Sequence, residues 1–85
     1  MYMYTVNQNY LKHTGKVIGI FEYLDKKKNK WLKPKISIGT EDTPITDEVL
    51  TNFIDEYSPE EVCFLVKDRT GEYHHIDFPS DELKK

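Results

Sequence analysis

Hydrophobic positions crowd together over residues 16–24, where Val17, Gly19, Phe21 and Tyr23 alternate with Ile18, Ile20 and Leu24. Both alternating sets are apolar, the pattern of a strand buried on both faces, so this segment is predicted to be central in its sheet. Residues 25–30 are polar and read as a hairpin loop. They lead to a second strand over residues 31–38, in which Pro34 brings no ladder donor, so an edge position or a bulge at Pro34 is expected. Residues 1–10 alternate loosely, with Tyr2, Tyr4 and Val6 on one side, and fit either a first strand or a free arm.

After a break over residues 39–44 the period changes. Thr46 is placed to cap a helix whose first turn holds Asp47 and Glu48, where carboxylates favour the positive end of the helix dipole. Around that helix Val49, Leu50, Phe53, Ile54 and Tyr57 fill one arc, and Asp47, Glu48, Thr51, Asn52, Asp55 and Glu56 the other. Ser58-Pro59-Glu60-Glu61 has capping-box spacing with proline at the first helical position, which predicts one further short helical turn.

Residues 62–67 and 72–78 then flank Asp68-Arg69-Thr70-Gly71, whose glycine suits the left-handed position of a tight hairpin. Residues 80–85 are expected to fray. The elements add up to an α+β fold in one domain over residues 1–85. Its form is a curled antiparallel sheet of four to five strands packed on one main helix, in the order β-β-β-α-β-β.

Composition supports one core. The chain has 85 residues, 38% of them apolar and 11 of them aromatic, enough to order a compact unit despite 32% charged residues. Cys63 is the only cysteine, so no disulfide can form within the chain, and a reducing cytoplasm fits best. No basic and apolar leader stands at the N-terminus, and no segment approaches a membrane span. There is no alanine, and Arg69 is the one basic residue besides lysine that is not histidine. AT-rich coding DNA produces that bias, which fits a phage or mobile-element gene.

The net charge of −3 conceals two opposed blocks. Residues 12–35 hold eight lysines against Glu22 and Asp25, whereas residues 41–61 hold eight carboxylates and neither lysine nor arginine. The basic block interleaves Lys16, Lys26, Lys27, Lys28, Lys30, Lys33 and Lys35 with Phe21, Tyr23 and Trp31. Such a mixture can follow a phosphate backbone while stacking bases on exposed rings. An ordinary solvated hairpin tip, with Trp31 turned into the core, is the plainer reading. The acidic block comes in pairs: Glu41 and Asp42, Asp47 and Glu48, Asp55 and Glu56, Glu60 and Glu61. A surface of that kind repels nucleic acid and attracts the basic groove of a protein that handles it. A merely solvated helix face is again the alternative.

Catalytic chemistry finds little purchase. His74 and His75 are adjacent in a predicted strand and point to opposite faces, so the two cannot grip one metal. His75 shares a face with Tyr73 and Asp77, a constellation that reads as a polar surface ladder. Cys63 lies in an apolar strand beside Glu60 and Glu61, which raise a thiol pKa and disfavour a nucleophile. No phosphate-binding glycine loop or nucleophile elbow is present, so no enzyme, metal or cofactor is expected.

Gly15-Lys16-Val17, Ile18-Gly19-Ile20-Phe21-Glu22-Tyr23, Leu32-Lys33-Pro34 and Lys35-Ile36-Ser37-Ile38, followed by a helix, carry a family resemblance. Over residues 15–57 this resembles the strand-hairpin-strand-helix signature of positive-cofactor-four-type transcriptional coactivators. The resemblance implies a dimeric single-stranded DNA binder with a curved four-stranded sheet backed by a helix, and Lys16, Tyr23, Lys33 and Lys35 as contacts on the strand face. The glycine that follows the Lys-Pro in that family is missing, and an extra hairpin follows the helix.

Two functions follow as expectations. The first is a small non-enzymatic protein of phage or mobile-element type, resembling anti-CRISPR proteins and DNA mimics in size and charge. It would inhibit a host nucleic-acid-handling protein through Glu41, Asp42, Asp47, Glu48, Asp55, Glu56, Glu60 and Glu61. The second is a single-stranded DNA- or RNA-binding module using the basic residues with Tyr23 and Trp31. A homodimer is compatible with either, and no membrane partner is expected.

Overall fold

The computed structural model describes Tyr4, Thr5 and residues 15–35 and 38–83. Strand β1 (Gly15–Asp25) and β2 (Lys30–Leu32) form the first hairpin. Helix α1 (Asp47–Tyr57) follows, then β3 (Glu61–Asp68), β4 (Tyr73–Pro79) and a closing 3-10 helix, Ser80–Leu83. The sheet order is β2-β1-β3-β4, antiparallel throughout. This is the α+β class read from the sequence, with β1 central and β2 at an edge as expected. The expected N-terminal strand lies outside the described residues except at Tyr4 and Thr5.

One face of the sheet is covered by the helix. Val62, Phe64 and Val66 of β3 are fully buried there, and their cross-strand partners Tyr23, Ile20 and Val17 on β1 and Phe78, Ile76 and His74 on β4 share that side. Leu50, Phe53 and Ile54 close the core from the helix. Tyr23 meets Phe53 and Tyr57 edge-on at centroid distances of 5.5 and 5.1 Å. Phe64 meets Phe78 edge-on at 5.4 Å. Each such ring contributes about 1.5–3 kcal/mol by leaving water, which is what fastens an eleven-residue helix too short to persist alone.

Local chemistry sets the ends of the elements. Thr46 caps α1, its hydroxyl accepting from the Val49 N–H at 3.2 Å. At the other end Ser58 takes a left-handed conformation, φ 46°, and its N–H reaches the Ile54 carbonyl. That conformation stops the chain from starting the helical turn expected at 58–61; Pro59 is buried and β3 begins at Glu61. Residues 80–83 do not fray. Leu83 is fully buried, and its carbonyl accepts from the Thr5 N–H at 2.8 Å.

Three further expectations are corrected. β2 ends at Leu32, two residues before Pro34; residues 36 and 37 of the expected strand lie outside the described residues, and Ile38 bridges to Ile20, its carbonyl accepting from the Ile20 N–H. The simple alternation in β1 is broken by register shifts between Val17 and Gly19 and between Ile20 and Glu22. Phe21 is thereby released to the face opposite the helix, where it stacks on His75 at 4.1 Å. The helix is also rotated from the arc its apolar residues define: Val49 is 42% exposed while Thr51 is 3% exposed. The cause is the N-terminal segment, because Thr51 Oγ1 accepts the Tyr4 N–H at 2.9 Å and so must face inward.

Candidate functional site

Helix α1 presents Glu48, Asn52, Asp55 and Glu56 to solvent, within an arc of about 100° at 100° per residue. Glu60, just past the left-handed Ser58, is exposed beyond the helix end. None of Glu48, Asp55, Glu56 and Glu60 has an ion-pair partner among the described residues. Asp47, at the first helical position, accepts a hydrogen bond from the Thr5 hydroxyl at 3.0 Å and borders the buried side.

The remaining acidic residues lie elsewhere. Glu41 pairs with Lys67 at 2.8 Å and also accepts from the Tyr73 hydroxyl, both on the sheet face away from the helix. Those two donors hold its carboxyl below the usual range, and the same contact raises Lys67 and Tyr73. Asp42 is exposed in the adjoining loop. Glu61 opens β3, opposite Leu24 and Pro79, also on the far face. The eight carboxylates therefore do not form one surface; the helix gathers four with Glu60.

The lysines of the first hairpin turn lie at the opposite end of β1 from the start of the helix. Lys26, Lys27, Lys28 and Lys30 are all exposed on a turn fixed by Asp25, which accepts the Lys28 N–H at 2.7 Å through its carboxylate and the Asn29 N–H at 2.8 Å through its carbonyl. Asn29 takes the left-handed position, φ 52°. Trp31 is 37% exposed on the edge strand, not turned into the core. Tyr23 is 7% exposed and locked among Phe53 and Tyr57, so it offers no ring to a base. Lys35 is exposed, and Lys33 stands over the Phe21 ring at 5.1 Å. Lys16, the second residue of β1, lies on the far face, opposite Lys67.

The groups with chemical potential are held in structural roles. Burial pushes the Cys63 thiol up to about 12, reinforced by a hydrogen bond to Asp77 and by the charges of Asp77 and Glu22. The direction matches the sequence reading, but the carboxylates responsible are cross-strand neighbours, not Glu60 and Glu61. His75, Tyr73 and Asp77 do share a face, as expected from their spacing.

Sequence reasoning missed one cluster. Asp68, Glu72 and His74 bring ligating atoms within 4.8 Å of one another across the second hairpin. Asp68 Oδ1 accepts from the Thr70 N–H, the Thr70 hydroxyl and the Glu72 N–H, while Oδ2 meets His74 Nε2 at 2.7 Å. Its carboxyl is lowered by His74 first and then by those turn donors. With both oxygens engaged, the cluster closes the hairpin. The spacing Asp-x-x-x-Glu-x-His across a four-residue turn was the signal available.

Comparison of the chain with known protein families, curated proteins and solved structures gave no match.

Proposed function

We propose that this chain is a non-enzymatic binding protein that docks its helix face onto a basic surface of a nucleic-acid-handling protein. There it would occupy the place of the phosphate backbone and act as an inhibitor, in the manner of phage-borne antagonists of host nucleases. The observation that supports this reading is the exposed set Glu48, Asp55, Glu56 and Glu60, free of ion pairs among the described residues. Close like charges repel one another, so a rigid element holding them together is matched by a ligand of opposite sign.

The test is a pull-down from a nuclease-treated extract of the native host, comparing the wild-type chain with Glu48→Lys/Asp55→Lys/Glu56→Lys/Glu60→Lys. A partner retained by the wild type, displaced by added oligonucleotide and lost from the variant supports the reading. Equal capture by both chains overturns it.

A second reading has its own support in the hairpin tip, where Trp31 stands exposed beside four exposed lysines. It makes the tip a contact for single-stranded nucleic acid. Trp31 is the only tryptophan, so its fluorescence reports on the tip alone. Quenching by a labelled oligothymidylate at roughly 50 mM salt, lost as salt rises, supports this reading, and unchanged fluorescence removes it.

A further inference from the structure

The second hairpin holds a cluster that neither proposed function uses. Asp68 and Glu72 face each other at its turn: the Asp68 N–H donates to the Glu72 carbonyl at 2.8 Å, and the Glu72 N–H to Asp68 Oδ1 at 2.9 Å. Their carboxylates therefore stand on opposed ladder positions, where like charges are destabilising. Arg69, exposed in the turn between them, makes no ion pair with either among the described residues. The alternation that sends Val66 to the helix side sends Asp68, Glu72 and His74 there too, so all three share one face at the end of the sheet. Gly15, the β1 partner of Asp68, adds no side chain to that face.

The three side chains are arranged as a ligand set. Asp68 Oδ1 is taken by the Thr70 N–H, the Thr70 hydroxyl and the Glu72 N–H, which fix the carboxylate and aim Oδ2 at His74 Nε2, 2.7 Å away. A metal-binding carboxylate is commonly held in this way, with outer hydrogen bonds orienting the group that meets the ion. A ligating atom from each of Asp68, Glu72 and His74 lies within 4.8 Å of the other two. Ligands about 2.0–2.2 Å from one tetrahedral ion stand roughly 3.3 Å apart. The Asp68–His74 contact therefore opens by about 0.6 Å, and Glu72, an exposed side chain, swings in by no more than about 1.5 Å. The His74 and Asp68 side chains are only 24% and 17% exposed, which limits competition from water.

We propose that Asp68, Glu72 and His74 bind a divalent transition-metal ion of the zinc class. The ion takes the place of the hydrogen between Nε2 and Oδ2, and the imidazole binds through Nε2 as the neutral ring, with its hydrogen on Nδ1. One imidazole with two carboxylates suits zinc better than magnesium or calcium, which prefer oxygen ligands alone. The charge of the ion offsets the two opposed carboxylates, its bonds join β3 to β4 at the turn, and water fills the remaining position. A single histidine suffices, so the divergence of His74 and His75 is no obstacle; His75 stacks on Phe21 on the other face. The site is independent of the docking surface on α1.

Calorimetric titration of the full chain, free of any affinity tag, with zinc chloride tests this. The wild type is expected to bind a single ion and to melt at a higher temperature in its presence, because a ligand of the folded chain stabilises it. His74→Gln, whose amide can still reach Asp68, and Glu72→Gln, on an exposed side chain, are each expected to bind about tenfold or more weakly. Circular dichroism without metal shows that both remain folded, and either variant alone carries the test. His75→Gln is expected to bind as the wild type does, and magnesium chloride to give no saturable heat. A wild type without saturable zinc binding overturns the proposal, as does binding unaffected by the substitutions at 72 and 74. Weakening by His75→Gln equal to that by His74→Gln places the ion elsewhere and overturns it. Magnesium binding as tight as zinc binding reduces the cluster to unselective carboxylate attraction and overturns it equally.

Discussion

The Tyr4 N–H donates to the Thr51 hydroxyl at 2.9 Å, a bond between residues 47 positions apart that ties the N-terminal segment to the buried side of the helix. Thr51→Val keeps the shape and removes the acceptor. Leaving that donor unpaired is expected to cost about 1–3 kcal/mol, read as a lower urea midpoint at unchanged slope. Thr51→Ser, which keeps the oxygen, is expected to lose less. An unchanged midpoint for the valine variant disposes of the tether.

Gly19 is required by proximity. A Cβ there would lie 1.9 Å from the Ile38 carbonyl oxygen, part of the backbone that bonds β1 to the returning chain. Gly19→Ala is expected to destabilise by about 1–3 kcal/mol or more, since backbone must shift to admit the methyl group. Gly71 has φ +93° but open space around its missing Cβ, so Gly71→Ala carries only the conformational cost, about 1 kcal/mol. Thermal melts of the two variants should rank in that order.

Acid should weaken the second hairpin through Asp68. Its carboxyl titrates lower in the folded chain than in the unfolded one, so its stabilising contribution is complete above the unfolded value near about pH 4 and is lost as pH falls below it. Urea denaturation from neutral to acid pH is expected to show this loss. In Asp68→Asn the dependence should be shallower and the stability at neutral pH lower. Parallel curves for the two proteins contradict the assignment.

Cys63 should be almost inert. With its thiol at about 12, roughly one part in ten thousand is thiolate at pH 8, and the residue is only 5% exposed. Labelling by a thiol reagent at that pH is expected to be slow in the native protein and fast in denaturant. Asp77→Asn removes a nearby negative charge while keeping an acceptor oxygen, so it should speed native labelling. Fast labelling of the native wild type contradicts the burial.

Much of the fold was legible because local chemistry decided it. Thr46, Asp47 and Tyr57 mark the helix ends in composition alone, and Gly71 marks the second turn. What escaped depended on partners remote in sequence. Nothing near Thr51 announces that Tyr4 will turn it inward, and nothing near Phe21 announces that a register shift opposite Cys63 will turn it outward. Ser58-Pro59-Glu60-Glu61 offered a helix start, but the need to bring Val62 against Tyr23 favoured an immediate strand. The candidate surfaces were legible as charge runs and less so as patches, since Glu41 is claimed by Lys67 and Tyr73 from the far end of the chain.

The position of β3 beside β1 also sets how the chain must reach its native state. Each hairpin closes over a few residues and can form within about 1–10 µs. The ladder that joins Gly15 to Asp68 and Leu24 to Glu61 must instead gather everything between them, helix included. Folding speed should therefore be governed by that single long-range closure, and substitutions along the β1–β3 seam should slow refolding more than equally costly ones in either turn.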